Sequence, residues 1–403
     1  MAEHSIVIPT RDKLFNLGEF FRPTPGNIIT AIILAVGLTI TIIRFTMGIG
    51  SVTNLSDNQP WGMWIGFDLL CGVCLAAGGY FTTVACYIMG VNYHSAIRPA
   101  VTTAFLGYAF VVIALLYDLG HPLRLPFMFF FPGTTSVLFE VGLCVATYLT
   151  VLFVEFSVAP MEWLASRFPW LVKWRKVVIK MTIPLTIFGV TLSTLHQSSL
   201  GSLYLIAPGK LYPLWYSPFM PMFFFVSSMA AGASMVIFEG MFAHKGVHQY
   251  MDKTHLREAD QVVFSFARAA SFILFAYFML KLIDMLVQAN IPYLFTGYGA
   301  WWMVEMLGFV LLPALLYAKG ARERRLGLCR FAAANTVIGI VLNRFNVSMI
   351  AFNYALPSSE RYFPSIWEIC ISIFVVTMIV TVYRFIVYHM PVLYEHPDFR
   401  DAH

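Results

Sequence analysis

Ten times along this chain a run of about 20 or more residues passes with almost no charge, the length a helix needs to cross the hydrocarbon core of a bilayer. The runs fall at about 27–49, 61–91, 98–118, 134–157, 178–205, 217–242, 262–289, 298–318, 329–353 and 364–389. They predict an all-α membrane protein of ten transmembrane helices. Charged residues make up only 12% of the chain, against about 25% in soluble domains. Helix breakers stand between the runs, as in Asn58-Gln59-Pro60, His121-Pro122, Pro132-Gly133 and Pro208-Gly209. Trp61, Trp64, Trp215, Trp301 and Trp302 sit where runs begin, as interfacial aromatics do.

Other classes recede on the same grounds. The net charge of +5 comes from loops between spans and does not suggest nucleic acid. The opening residues, about 26, are polar and mixed in charge, and the run that follows is long enough to remain as a span, so no cleavable signal peptide is expected. Cys71, Cys74, Cys86, Cys144, Cys329 and Cys370 lie in or near spans and form neither a disulfide framework nor an Fe–S array. The Cys71–Cys74 CxxC, with no second pair, reads as small packing residues on a helix.

Sidedness follows from lysine and arginine. With the N-terminus inside, 19 of the 26 fall on cytoplasmic segments and only Arg124, Lys210 and Arg361 on outer loops. Arg44, Arg268, Lys281 and Arg344 lie within spans. Both termini are expected in the cytoplasm.

An internal repeat runs through the spans. Cys74-Leu-Ala-Ala-Gly-Gly79 is matched by Ser228-Met-Ala-Ala-Gly-Ala233, Glu140 by Glu305, and the run from Gly189 to Pro208 by that from Gly339 to Pro357. Four spans separate the copies, so they point the same way, unlike the inverted repeats of many transporters. The organisation expected is residues 1–60 as N-terminus and flanking helix, 61–210 and 211–357 as two parallel-repeat four-helix bundles, and 358–403 as a second flanking helix and tail.

An ionisable side chain in the bilayer costs roughly 2.5–3.5 kcal/mol on insertion scales and asks for a partner or a purpose. At 1.5 Å per residue, Asp68, Asp118, Glu140 and His196 all fall in the outer half of the first bundle. Ser193, His196, Gln197 and Leu200 share one helix face, and Tyr117 and His121 flank Asp118. One reading is that these groups only hold helices together. The other is a site for a membrane-soluble, proton-linked molecule, and a quinone fits: its carbonyls need donors and its reduction takes up two protons. A histidine exchanges protons near neutral pH, and Asp118 or Glu140 would orient it or relay its proton. The second bundle holds Lys281, Asp284, Glu305 and Arg344, either a structural ion cluster or a proton path, with Glu239 and Glu155 as inner entry points. Lys281 and Asp284 are placed to neutralise one another, and Arg344 to pair with Asp284 or Glu305. No paired axial histidines, Cys array or phosphate-binding loop appears, so neither haem, Fe–S cluster nor other metal site is expected in this chain.

These residues resemble the NrfD/polysulfide-reductase membrane-subunit family, in its ten-helix branch that includes the HybB hydrogenase subunit and QrcD of the menaquinone reductase complex. The resemblance rests on Gly48-Ile-Gly50-Ser51-Val52, on Pro60-Trp61-Gly62-Met-Trp64 leading to Phe67-Asp68-Leu69, and on Ser136-Val-Leu-Phe-Glu140. It rests also on His196-Gln-Ser-Ser-Leu-Gly201-Ser202, and on Ala351-Phe352-Asn353 followed by Tyr362-Phe363-Pro364. It implies a subunit of a respiratory complex in the bacterial inner membrane that binds menaquinone near the periplasmic side and carries no redox cofactor of its own. A periplasmic ferredoxin-like Fe–S subunit would feed it, alongside a molybdopterin-type subunit and multihaem cytochrome c, or a hydrogenase. Carried over by position, Asp68, Asp118, Glu140, His196 and Gln197 line the quinone pocket. The segment Asp118-Leu-Gly-His121-Pro-Leu-Arg124 departs from the hydrogenase-type pattern and favours the menaquinone reductase type. A secondary transporter using the second-bundle cluster and a plain anchor for soluble subunits are the readings from other classes. Uptake by the isolated chain would mark the first, and turnover surviving loss of His196 the second.

Overall fold

The computed structural model describes residues 22–91, 93–246, 251, 253–394 and 399; the polar N-terminal stretch and the end of the tail lie outside the described residues. Among the described residues the chain is helical, and extended pairing is limited to the isolated bridges Ser56–Gln59 and Leu211–Phe352. Nine helices among the described residues are each long and apolar enough to cross a membrane, and a bent pair, counted as one span, makes ten. In order they are α1 (Pro25–Met47), α2 (Trp64–Ile88), α3 (Ile97–Asp118), α4 (Val137–Leu164), α5 (Leu171–Lys180) and α6 (Thr182–Ile206). There follow α7 (Met220–Ala243), α8 (Leu256–Val287), α9 (Gly297–Arg322), α10 (Leu326–Ile350) and α11 (Ile366–His389). The ten crossings fall on the ten apolar runs. This is a multi-pass membrane protein.

The starts are set by local chemistry. Thr24 caps α1 by accepting from the Asn27 amide at 3.3 Å, with Pro25 in the first turn. Ser136 and Thr296 cap α4 and α9 in the same way. Ser365 and Glu368 form a reciprocal capping box on α11.

One boundary departs from the sequence reading. The run 178–205 is not one helix, because α5 and α6 meet at 61° across Met181. Pro184 explains the break: it has no N–H to give, and its ring clashes with the carbonyl four residues earlier, Lys180.

Helix α2 packs on α3, α4 on α6, and α7, α8, α9 and α10 on one another. Helices α2 and α6 meet α7, and α2 also meets α10. Helices α1 and α11 pair along the flank, and α11 leans on α3. The two copies of the small-residue motif lie against each other where α2 crosses α7. A Cβ added to Gly232 would sit 2.8 Å from the carbonyl carbon and oxygen of Ala77, so the backbones touch. The Tyr80 hydroxyl bonds Ser228 Oγ at 3.2 Å beside that crossing.

Among the described residues four stretches depart from α-helical winding into π-helical turns: Trp64–Leu69 and Val84–Ile88 in α2, Val304–Leu311 in α9 and Asn346–Ile350 in α10. The extra residue in such a turn re-aims side chains, and it recurs at functional positions. Asp68, Glu305 and Asn346 all stand in these turns.

Candidate functional site

The polar residues expected in one outer cluster divide into three groups. The first surrounds His196, which is fully buried on α6. Its Nδ1 lies 2.8 Å from the Leu192 carbonyl, and its Nε2 bonds the Tyr108 hydroxyl. A carbonyl only accepts, so Nδ1 carries the proton and, in the neutral ring, the Tyr108 hydroxyl donates to Nε2. The Tyr148 ring stacks on the imidazole at 5.7 Å. The orienting groups are therefore a backbone carbonyl and a tyrosine, and neither Asp118 nor Glu140 takes that part. Gln197 donates from Nε2 to the Val73 carbonyl at 3.0 Å. Its Oε1 and Ser193 Oγ are buried without a hydrogen-bond partner. Tyr108 and Tyr148 left no signal in the sequence, since aromatic residues inside an apolar run read as core.

Glu140 forms the second group. It lies exposed in the first turn of α4 and accepts from Ser199 Oγ at 2.6 Å. The second serine of the HQSS stretch is thus a carboxylate partner across the α4–α6 seam.

The third group gathers where α1, α2, α3 and α11 meet. Arg44, buried on α1, donates from Nε to the Tyr117 carbonyl at 2.8 Å and from Nη2 to the Leu119 carbonyl at 2.7 Å. It thereby closes the C-terminal end of α3, whose last carbonyls have no helical partner. Asp118 stands between those two carbonyls in sequence, and its Oδ1 is buried with no hydrogen-bond partner. Tyr117 Oη bonds Thr41 at 2.8 Å, and Asp68 accepts from Ser372 Oγ at 2.8 Å. Glu368 accepts from the amides of Asn54 and Ser365 at 3.1 and 2.8 Å and from the Tyr362 hydroxyl. Directly beyond Asp118 the chain turns through Gly120 and His121, both exposed, into the short helix Pro122–Phe129. Leu123 and Phe131 of that connection are 92% and 75% exposed. Arg44 and Glu368 are not among the site residues the sequence points to; an arginine deep in a span is the signal that marks the first.

The groups separate for a geometric reason. Equal depth fixes height but not azimuth, and on α2 the π-helical turn at Trp64–Leu69 goes with an Asp68 directed at α11.

The second-bundle residues form one network around Glu305. Its carboxylate accepts from Asn343 Nδ2 at 2.6 Å, from Trp215 Nε1 at 2.7 Å and from Asn346 Nδ2. Arg344 donates to Asn343 Oδ1 at 2.7 Å and to Ser227 Oγ at 2.9 Å, with its guanidinium 3.9 Å from the Phe224 ring centre. It reaches Glu305 through Asn343, where direct pairing was expected. Asp284 accepts from Ser217 Oγ and Gln288 Nε2, both at 2.7 Å, while the Lys281 ammonium lies 4.0 Å from the Phe223 ring centre. Among the described residues no direct ion pair joins Lys281 to Asp284. Glu155 lines a cavity of about 120 Å³ with Arg98 and Tyr87, and Glu239 one of about 80 Å³ with Ser95, Arg330 and Tyr383.

Residues 51–353 match the family described as polysulphide reductase, NrfD. The chain belongs to the NrfD family. An NrfD-family chain of this size has relatives along nearly its whole length. It is 67% identical over 382 residues to a protein of Nitratidesulfovibrio vulgaris, covering 94% of this chain and 97% of that one. It is 29% identical to the probable Ni/Fe-hydrogenase 2 b-type cytochrome subunit of Escherichia coli, over 92% of this chain and 95% of the relative. It is also 29% identical to the menaquinone reductase integral membrane subunit of Nitratidesulfovibrio vulgaris, over 82% of each. Family and helices together make it a multi-pass protein of the inner membrane.

The Escherichia coli relative is named a b-type cytochrome. A bis-histidine haem would need two facing imidazoles. Among the residues whose side chains are described, His196 has both nitrogens engaged, His121 is exposed on a connection, and His389 bonds the Phe385 carbonyl beside Trp163. Those three do not fit a paired axial set.

Proposed function

We propose that this chain is the integral membrane subunit of a respiratory oxidoreductase complex, and that it binds menaquinone at the α1–α3–α11 junction. The observation that carries the reading is the buried, unpartnered Asp118 Oδ1 beside the Arg44 anchor. Leaving a buried polar atom unpaired costs about 1–3 kcal/mol, which a ligand's polar group would recover. The exposed apolar connection 122–131 next to it gives a lipid-soluble ring a greasy approach.

Reduction of the quinone takes two electrons and two protons and yields the quinol. The electrons come from an Fe–S partner docked on the end bearing Trp61 and His121, the periplasmic end by the lysine and arginine count. Asp118, in its protonated form, donates a hydrogen bond and then a proton to one quinone oxygen, and Arg44 holds the end of α3 so that the carboxyl stays aimed. Tyr117 precedes Asp118 on α3, His121 follows it on the connection, and Asp68 binds Ser372 on the neighbouring α11. His196, Tyr108, Ser193 and Gln197 form a deeper polar station, with Glu140 and Ser199 on the neighbouring seam. Protons reach the site from the cytoplasmic cavities at Glu155 and Glu239, with the Lys281, Asp284, Glu305 and Arg344 network as the interior stretch. Residues 61–210 and 211–357 act as two bundles. The quinone site lies where α3 of the first meets the flanking helices α1 and α11, and the proton route runs from the Glu155 and Glu239 cavities through the second.

The test is turnover of the purified complex with a soluble menaquinone analogue. Asp118→Asn should lower it at least tenfold with the complex still assembled, and unchanged turnover would sink the site. A hydrogenase in place of a cytochrome-fed partner is the second reading, favoured by the fuller coverage of the hydrogenase relative. Subunits co-purifying with the chain decide between them.

A further inference from the structure

Helix α5 has three faces. At about 100° per residue, Trp170 just before it, Trp174, Val177 and Met181 just after it share one sector. Lys173, Lys176 and Lys180 share a second, and Leu171, Arg175, Val178 and Ile179 a third. Burial follows the sectors. Trp170 and Trp174 are 58% and 57% exposed, and Val177 and Met181 are exposed with them. All three lysines are exposed, whereas Arg175 and Val178 are buried.

The third face is latched. Arg175 Nε reaches Glu162 Oε1 at 2.8 Å, and Arg98 holds the same carboxylate in a fork at 2.8 and 2.9 Å. The latch ties α5 to α3 and α4 and fixes its roll, and the 61° bend at Met181 turns it away from the axis of α6. Two adjacent surfaces are therefore presented outward in a set orientation, one aromatic and apolar, one cationic.

Neither bulk phase suits that pair. Water would leave two tryptophans, a valine and a methionine solvated on one strip, and hydrocarbon would hold three ammonium groups. At the boundary both are accommodated. We infer that α5 lies in the plane of the bilayer interface, its Trp170–Trp174 strip in the acyl region, and that Lys173, Lys176 and Lys180 bind anionic phospholipid headgroups. The occupant is lipid because the cationic row flanks an aromatic strip at the foot of a membrane span, where headgroup phosphates and chain ends meet. The inference is independent of the quinone reading.

The experiment is native mass spectrometry of the full chain in detergent, titrated with phosphatidylglycerol and, separately, phosphatidylcholine. The wild type should bind phosphatidylglycerol more tightly, and Lys173→Gln/Lys176→Gln/Lys180→Gln should lose that preference, by roughly tenfold or more. The exposed glutamines keep the helix formers in place, and an unchanged unfolding temperature verifies the fold. A second measurement uses brominated lipid in vesicles, where Trp170→Phe/Trp174→Phe should remove a quenchable share of the tryptophan emission. The proposal fails if the triple variant keeps the preference or if quenching is the same in the double variant. It fails also if Lys173→Cys reacts with a water-soluble maleimide in the isolated chain and is shielded once partner subunits assemble, since the face would then belong to protein.

Discussion

Asn343 stands between Glu305 and Arg344, its amide nitrogen donating to the carboxylate at 2.6 Å and its oxygen accepting from the guanidinium at 2.7 Å. Two opposite charges in the membrane interior are thus joined through a neutral amide, which gives each a partner without bringing them together. Asn343→Leu leaves a carboxylate and a guanidinium each short of a bond. The expected loss is about 2–5 kcal/mol of stability, read from unfolding of the detergent-solubilised chain. A variant as stable as the wild type would show that water replaces the amide without cost.

The α2–α7 crossing gives a sharper comparison. Gly232→Ala forces a methyl to 2.8 Å from the Ala77 carbonyl and should cost about 1–3 kcal/mol. Gly240→Ala, on the same helix with nothing within 4 Å of the added carbon, should be neutral or slightly stabilising. Thermal midpoints of the two variants, measured side by side, check this.

Glu162 pairs with Arg98 and Arg175 at once, one negative charge held between two positive ones. Glu162→Ala should cost about 3–5 kcal/mol, because it strands a buried guanidinium. It should also free α5, making the connection at residues 165–170 a protease target. Resistance equal to that of the wild type would mean that the apolar contacts of Val178 alone hold the helix.

Tyr108→Phe removes the hydroxyl from His196 Nε2 and leaves that nitrogen buried without a donor. A loss of about 1–3 kcal/mol is expected, measured by chemical denaturation. A loss below about 0.5 kcal/mol would mean that the pair is not a structural bond.

Sidedness has its own test. Alkaline phosphatase fused after Ser359 should be active, as on a periplasmic loop, and fused after Arg325 inactive. The reverse result would invert the orientation drawn from the lysine and arginine count.

The ten crossings were legible because hydrocarbon thickness translates directly into run length, and each apolar run is a crossing in the structure. The break before Pro184 was not legible, because the proline lies inside an apolar run and hydropathy averages over it. Nor were the π-helical turns, since an extra residue per turn has no compositional mark. They go with Asp68 aimed at Ser372 and Glu305 at three donors. His196 was visible as a buried imidazole, but its partners Tyr108 and Leu192 were not, because a tyrosine in a span and a backbone carbonyl carry no polar signature.

The contact between Gly232 and Ala77 bears on how this protein can move. Where two main chains touch with no side chain between them, there is no cushion to shear, so α2 and α7 resist sliding past one another at that level. Rearrangement near that level is then left to side chains around the contact, such as Tyr80 and Ser228 beside it.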